Sequence, residues 1–244
     1  MKFLIFSGTT EGRELSRLLA DRGGRVAVSV ATDYGAEEQG SYPGVTVLQG
    51  RKTVEEMAAL LAGFDLCIDA THPYAVEATK NIAAACEKAG VPCRRLLRRA
   101  SGETGGLYVD SAAQAAALLE PKEGNILLTT GAKELSAFSG LEPERLYPRV
   151  LPSHESIAAC ETAGIPHRNI VAMQGPFSLE LNEAILRQFR IAFLVTKDGG
   201  TTGGFREKAE AARNTGAGLV VIRRPEDSGD SFETILSVCE EMMR

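Results

Sequence analysis

Two segments rich in glycine and threonine carry the residues with the clearest chemical potential. Residues 7–13 read S-G-T-T-E-G-R, and residues 197–204 read K-D-G-G-T-T-G-G. Each follows a short apolar run and precedes an apolar pattern of helical period, which predicts a strand–loop–helix unit. Glycines let a ligand approach the backbone, and a helix N-terminus favours phosphate or carboxylate. Both segments are therefore candidate anion-binding loops.

Neither loop matches a standard nucleotide-binding motif. Gly8 and Gly12 give G-x-x-x-G, and the second loop gives G-G-x-x-G-G, so the dinucleotide fingerprint G-x-G-x-x-G is absent. Phe205 stands where a P-loop needs lysine. A structural alternative stays open for both loops, because glycine-rich turns also let a helix pack closely against its strand.

Strand and helix patterns alternate along the chain. Apolar strands are predicted at 3–6, 26–30, 45–48 and 66–69, and the alternation repeats from residue 115 onwards. This spacing is typical of right-handed βαβ units on parallel sheets. Arg94, Arg95, Arg98 and Arg99 crowd together ahead of S-G-E-T-G-G at 101–106, and we place the domain boundary here. These arginines either form a solvated strand edge or hold an anionic ligand. We expect an α/β fold of two Rossmann-like domains, 1–96 and 97–244, with mainly parallel sheets and a shared interdomain cleft.

Ligands of open α/β sheets bind beyond the carboxyl ends of the strands. The segments that follow predicted strands are residues 8–13, 32–34, 71–74, 130–133, 174–177 and 197–204. A strand at 147–151 contains Pro148, which cannot donate to a ladder, so we expect it at an edge or boundary.

Composition excludes several classes of protein. The net charge of −5 argues against a general nucleic-acid binder, and no apolar run approaches the ~18 residues of a membrane span. The chain enters a strand directly after Met1 and Lys2, so we expect no signal peptide. Five cysteines without C-x-x-C indicate neither a disulfide framework nor a metal site. We expect core thiols in a cytoplasmic protein.

Four segments together resemble the precorrin-6A reductase family. They are S-G-T-T-E-G-R at 7–13, D-A-T-H-P-Y-A at 69–75, M-Q-G-P-F-S at 173–178 and T-K-D-G-G-T-T-G-G-F-R-E-K at 196–208. The resemblance implies an oxidoreductase that reduces one ring double bond of precorrin-6A, or of its cobalt form, to the 6B form in cobalamin biosynthesis. It also implies NADPH as the hydride source, a tetrapyrrole as substrate, and two Rossmann-like domains.

The residues can be divided between these two anionic ligands. Asp33 ends the second strand, where it would repel a 2′-phosphate, whereas Arg223 and Arg224 stand at the matching position after the second loop. This favours NADPH on the second loop and carboxylates on the first, with the reverse left open. The expected cofactor contacts are Gly199, Gly200, Thr201, Thr202, Gly203, Gly204 and Arg223, with Gly8, Thr9 and Thr10. The expected substrate contacts are Glu11, Gly12, Arg13, Thr71, Gln174, Gly175 and Phe177.

Three side chains at strand ends are candidates for the catalytic proton transfer. Lys197 follows a buried strand. It either forms a surface salt bridge with Asp198, or donates a proton or holds a carboxylate beside the nicotinamide. His72 either bonds the backbone of the turn that Pro73 fixes or contacts a ligand. Tyr74 either packs on the domain face or replaces Lys197 as donor.

Short-chain dehydrogenases and non-catalytic dinucleotide sensors are the two alternatives to the reductase. None of the five tyrosines precedes a lysine by four residues, which excludes a short-chain dehydrogenase. A non-catalytic dinucleotide sensor would use the same loops without a proton donor, and it remains the alternative. Nucleic acid and membrane are not expected as partners.

Overall fold

The computed structural model describes residues 1–97, 105–199 and 204–244. The chain divides into two compact units. Unit 1 comprises Met1–Arg99 with Pro225–Arg244, and unit 2 comprises Ala100–Arg224. Most helices begin behind a serine or threonine whose side chain accepts from a backbone N–H of the first turn, which satisfies an otherwise unpaired donor. These N-caps are Thr9, Thr32, Thr53, Ser111, Ser153, Ser178 and Ser231.

Unit 1 contains one parallel sheet with helices on both faces. Its strands are β1 Lys2–Ser7, β2 Arg25–Val30, β3 Val45–Gln49, β4 Leu66–Ala70 and β5 Cys93–Arg95, in the order β3-β2-β1-β4-β5. Its helices are α1 Thr10–Asp21, α2 Asp33–Gln39, α3 Val54–Leu61 and α4 Val76–Ala89. Alternate residues of β1 enter two separate apolar clusters, with Phe3 and Ile5 in one and Leu4 and Phe6 in the other. Both faces of the sheet are therefore buried.

Unit 2 contains a second parallel sheet. Its strands are β6 Leu107–Val109, β7 Asn125–Leu128, β8 Leu146–Val150, β9 Val171–Ala172, β10 Ile191–Lys197 and β11 Gly218–Ile222, in the order β6-β11-β10-β7-β8-β9. Its helices are α5 Ala112–Leu119, α6 His154–Thr162, α7 Leu179–Gln188 and α8 Phe205–Thr215, with a 3₁₀ segment at Ala132–Phe138. The prediction of two Rossmann-like domains with parallel sheets is confirmed.

Each sheet has one topological switch point, where neighbouring strands send their connections in opposite directions. In unit 1 it lies between β1 and β4, and in unit 2 between β7 and β10. Ligands of such sheets bind beyond the carboxyl ends of the strands at this position. The loops that follow these four strands are therefore where a site is expected.

The strand at Leu146–Val150 differs from its expected edge position. It lies between β7 and β9. Pro148 is paired with Leu128 of β7, whereas pairing with β9 starts only at Arg149. Because the β9 ladder begins after the proline, the missing N–H of Pro148 is not needed on that side.

The expected domain limits, 1–96 and 97–244, are wrong at the C-terminus. The last helix, α9 Phe232–Met243, belongs to unit 1, where Ile235 and Cys239 are completely buried against Phe3, Leu19 and their neighbours. An amphipathic pattern shows that one helix face is buried, but it does not show which sheet covers it.

We expect Ile235→Ala to destabilise unit 1, because it leaves a cavity in a core formed by both ends of the chain. Replacing a buried isoleucine by alanine costs roughly 2–5 kcal/mol. Ser237→Ala, at an exposed position of the same helix, is the matched control and should change the free energy of unfolding by less than about 0.5 kcal/mol. Urea unfolding measures both. Equal effects of the two substitutions would contradict the packing described here.

Candidate active site

Thr9 joins the two loops at the switch point of unit 1. Its hydroxyl donates to the carbonyl of Ala70 at 3.0 Å and accepts from the N–H of Gly12 at 3.1 Å. The first bond fixes the β1 loop to the end of β4, and the second caps α1. Thr9 was predicted as a cofactor contact, and the structure shows that its hydroxyl already has two protein partners.

Gly8 and Gly12 serve different purposes in this loop. A Cβ atom built on Gly12 would lie 2.8 Å from both the Ala70 Cβ and the Ser7 Oγ, so Gly12 permits close packing of α1 on the sheet. A Cβ on exposed Gly8 would meet only the His72 N at 3.7 Å and the Thr71 Cα at 3.9 Å. Gly8 therefore leaves the backbone of the loop exposed without a packing requirement, unlike Gly12.

The other residues of the first loop lie in the first turn of α1. Thr10 and Glu11 are half-buried. Arg13, predicted as a substrate contact, forms an ion pair with Glu38 at 3.1 Å and donates to the Glu38 carbonyl at 2.7 Å. A substrate carboxylate would compete with Glu38 for this guanidinium.

Arg95 holds the loop that follows β4. Its Nη1 contacts Asp69 Oδ1 at 3.0 Å and donates to the carbonyl of Thr71 at 3.0 Å, while its Nε reaches Asp227 Oδ2 at 2.9 Å. Asp69 Oδ1 also accepts from the Thr71 hydroxyl at 2.7 Å. Thr71, predicted to contact substrate, is thus fixed on Asp69 and Arg95.

His72 and Tyr74 lie together in this loop. The His72 Nδ1 accepts from the backbone N–H of Tyr74 at 3.4 Å, and the ring centroids are 5.5 Å apart. The backbone hydrogen bond weighed for His72 is therefore present. Both side chains are half-buried next to Thr71.

Lys197 lies at the switch point of unit 2. Its Nζ forms an ion pair with Glu134 Oε1 at 2.8 Å, which joins the end of β10 to the 3₁₀ segment after β7. Asp198, considered as its partner, contacts Arg224 at 3.4 Å and also accepts from the Arg224 Nε at its carbonyl at 2.8 Å. Lys197 is only about one-fifth exposed, so its ammonium has a fixed direction.

The second glycine-rich loop runs from β10 to α8. Gly199 is buried, and its N–H donates to the Lys197 carbonyl at 2.8 Å. Gly204 adopts the left-handed conformation at φ 64° and caps α8 without any side-chain hydrogen bond. The predicted contacts Gly200, Thr201, Thr202 and Gly203 lie outside the described residues.

Most of the basic side chains expected to hold anions are already ion-paired. Arg223, beyond β11, contacts Asp110 at 2.9 Å and lies 5.5 Å above the Tyr108 ring. Arg94 contacts Asp230 at 3.0 Å. Arg98 and Arg99 lie outside the described residues. Lys208 differs, because burial lowers its pKa to about 8, assisted by repulsion from Arg149.

Arg149 and Asn182 were missed by the sequence analysis. Arg149 is buried in β8, donates to Asn182 Oδ1 at 2.8 Å, and lies 3.9 Å from the ring centre of Phe177. A Cβ on Gly175 would come within 2.9 Å of that ring, so Gly175 permits its position. Gln174 is exposed beside it. The available signal was a single arginine in the otherwise apolar strand L-Y-P-R-V.

Three of the expected core thiols form a cluster that the sequence did not predict. The Sγ atoms of Cys67, Cys86 and Cys93 lie within 4.8 Å of one another. Cys93 is exposed because it begins the edge strand β5. Hydrogen bonds from the other two thiols, with the nearby charge of Arg95, lower the pKa of the Cys93 thiol. The cluster lies at the start of β5, at the opposite end of that strand from the loops at the switch point.

Comparison with known proteins identifies the family. A family model described as "Precorrin-6x reductase CbiJ/CobK" matches residues 2–242. The chain belongs to this family. Its resemblance to precorrin-6A reductases is thereby confirmed.

Relatives cover almost the whole chain. The Cobalt-precorrin-6A reductase of Priestia megaterium is 34% identical over 98% of this chain and 96% of its own length. That of Methanothermobacter thermautotrophicus is 36% identical over 93% of this chain and 77% of its own length. A solved structure titled "CobK precorrin-6A reductase" superposes with a TM-score of 0.80 at 26% identity, over 99% of this chain and 97% of that chain.

The secondary structure also bears on the expected absence of a membrane segment. No helix within the described residues combines the length and the apolar character that crossing a bilayer requires.

We expect Gly12→Ala to destabilise the protein and Gly8→Ala to leave its stability nearly unchanged. The methyl group at position 12 overlaps Ala70 and Ser7, and such overpacking costs roughly 1–3 kcal/mol. The helix propensity of alanine returns up to about 1 kcal/mol of this. At position 8 the nearest atoms are at ordinary contact distance. Thermal unfolding of both variants is the measurement, and equal losses would show that Gly8 is also structural.

Proposed function

We propose that the protein reduces one ring double bond of precorrin-6A, or of its cobalt form, to the 6B form in cobalamin biosynthesis, with NADPH as the hydride source. The observation that carries the proposal is the 34% identity, over nearly the full length of both chains, with a protein named Cobalt-precorrin-6A reductase. The two-domain fold with a loop site at each switch point supports it.

We place the phosphates of NADPH on the second loop. α8 begins at Gly204, which has no side chain to cap it, so within the described residues no N-cap side chain competes with an anion for the N–H groups of its first turn. The N-terminus of α1 is closed by Thr9 and carries Glu11 in its first turn. Arg223 follows the strand next to this loop, where the ribose end of a dinucleotide lies in Rossmann folds. The start of α8 and Arg223 therefore fit the phosphates of NADPH better than the first loop does.

The cofactor, when bound, supplies the hydride. The protein must then deliver a proton to the neighbouring carbon of the reduced bond. Lys197 is the proposed donor, because its ammonium is held by Glu134 at the carboxyl end of β10. His72 and Tyr74 are the alternative donors in unit 1. For the substrate carboxylates we propose Arg13 and Thr71.

We expect the protein to bind NADPH in preference to NADH, and Arg223→Met to remove most of this preference. A charge-assisted hydrogen bond to a 2′-phosphate contributes roughly 1.5–3 kcal/mol, which corresponds to about 10- to 100-fold in affinity. NADH binding should be unchanged in the variant. Fluorescence titration with both cofactors measures this, and Arg187→Met, at an exposed ion pair on α7, is the control. Equal affinities of the wild type for NADPH and NADH would contradict the proposal.

We expect Lys197→Met to lower turnover at saturating substrate by ~10²-fold or more, the scale typical of a lost general acid. The methionine keeps the apolar stem, so NADPH should bind with unchanged affinity. Lys133→Met, at an exposed position beside Glu134, serves as the control and should retain full turnover. If Lys197→Met also retains it, the donor is His72 or Tyr74, and the same assay on their variants decides between them.

A further inference from the structure

Three cysteine side chains from three different elements meet in unit 1. Cys67 lies in β4, Cys86 in α4 and Cys93 in β5, and their Sγ atoms are all within 4.8 Å of one another. None of them belongs to the loops at the switch points. The described part of the chain adds no fourth histidine, cysteine or carboxylate ligand atom to the group. The cluster is therefore a set of three sulfur ligands.

The register of the sheet explains why two of these thiols are neighbours. Cys67 and Cys93 are paired in the parallel ladder of β4 and β5, and the side chains of paired residues point to the same face of a sheet. Cys67 belongs to the apolar cluster that α4 completes with Ile82, Ala85 and Cys86. Both strands therefore present a thiol to the sheet face that α4 covers.

Backbone hydrogen bonds hold the three positions in place. The N–H of Val91, just after α4, donates to the carbonyl of Cys86 at 3.1 Å. The N–H of Cys67 donates to the carbonyl of Pro92 at 2.9 Å, immediately before Cys93. Ligands that are already in place lose little conformational freedom when they bind, which favours affinity.

The distances between the sulfurs suit one shared metal ion. A bond from thiolate sulfur to zinc is about 2.3 Å long, so three sulfurs around one ion lie roughly 4 Å apart. Because the Sγ atoms are already within 4.8 Å of one another, shifts of less than about 1 Å bring them into contact with an ion. A disulfide would join only two of the three sulfurs. A metal ion uses all of them.

The ligand type decides which ions fit. Thiolate sulfur is a soft ligand that suits Cu(I) and Zn(II), whereas Mg²⁺ and Ca²⁺ prefer oxygen. Cys93 is exposed, so an ion can reach the cluster from solvent, and a water can complete the tetrahedron that Zn(II) requires. Three thiolates around either ion keep a net negative charge. Arg95 acts on Cys93 through its positive charge, which offsets part of that excess.

We infer that Cys67, Cys86 and Cys93 form a metal site of unit 1 that binds one thiophilic cation, Cu(I) or Zn(II), through three thiolates. Each thiol releases its proton when its sulfur bonds to the ion. The ion connects the edge strand β5 to β4 and α4, at the opposite end of β5 from the loops at the switch point. Its role is to stabilise unit 1, and the site does not depend on the proposed function.

Cadmium is the probe for this site, because Cd²⁺ bound to thiolates gives a sulfur-to-metal charge-transfer band in the ultraviolet. The reduced wild type should bind one equivalent. Cys93→Ser, at an exposed position, and Cys86→Ala should each lower the affinity by more than ~100-fold, beyond the loss typical of an outer-shell partner. Cys239→Ala removes a buried thiol of the same unit outside the cluster. This control should retain the wild-type affinity.

Three results of this titration would overturn the inference. The first is the absence of the charge-transfer band in the reduced wild type. The second is an unchanged cadmium affinity in Cys93→Ser. The third is an equal loss of affinity in Cys239→Ala, because the band would then report on thiols in general.

Thermal unfolding measures the structural role of the ion. A ligand stabilises the state that binds it, so one equivalent of Zn²⁺ or Cd²⁺ should raise the melting temperature of the wild type, whereas Mg²⁺ should not. Without metal, Cys93→Ser should melt at the wild-type temperature, because the substituted side chain is exposed. It should not respond to Zn²⁺ or Cd²⁺. A shift of wild-type size in this variant would show that the ions act through other groups, and it would overturn the inference.

Competition with bound cadmium distinguishes the two natural ions. Cu(I), added without oxygen, and Zn(II) should each abolish the cadmium band, and the ion that does so at the lower free concentration is the preferred one. X-ray absorption should then show three sulfurs around the ion, joined by one oxygen or nitrogen for Zn(II) and by no fourth ligand for Cu(I). Displacement by neither ion, or fewer than three sulfurs in the spectrum, overturns the inference.

Discussion

The buried ion pair of Asp69 with Arg95 is the interaction on which unit 1 depends. Their side chains are 3% and 10% exposed, and Arg95 also binds the Thr71 carbonyl and Asp227. One guanidinium thus joins β4, β5, the loop that carries His72, and the C-terminal segment. Removing one partner of a buried pair costs about 3–5 kcal/mol, because the other charge is left alone. Loss of this ion pair would therefore disturb both the loop at the switch point and the attachment of the C-terminal segment. Arg95 was a candidate for holding ligand anions, and its contacts show that it is occupied by the fold.

Both units contain the same strand–loop–helix arrangement. They differ in how many of its polar and charged groups have partners among the described residues. In unit 1, Thr9 closes the N-terminus of α1, and Arg13, Arg94 and Arg95 are paired with carboxylates of the same unit. In unit 2, α8 starts at Gly204 without a side-chain cap, and two buried cations have no counter-ion among the described residues. An anionic ligand would satisfy groups in unit 2 that have no partner among the described residues. In unit 1 it would first have to displace an existing partner such as Glu38.

The sequence predicted the elements that depend on neighbouring residues in the chain. It did not predict the features that depend on contacts with distant residues. The periodicity of residues 3–6 and 66–69 predicted β1 and β4, because alternation along a strand needs no knowledge of its neighbours. The helical pattern also placed Phe205, Lys208, Ala209 and Ala212 on one face of α8, where Ala209 is half-buried and the other three are buried. The attachment of α9 to unit 1 could not be predicted, since an apolar helix face does not show which sheet covers it. Arg149 escaped notice because its environment is made by Phe177 and Asn182, which are 28 and 33 positions away in sequence.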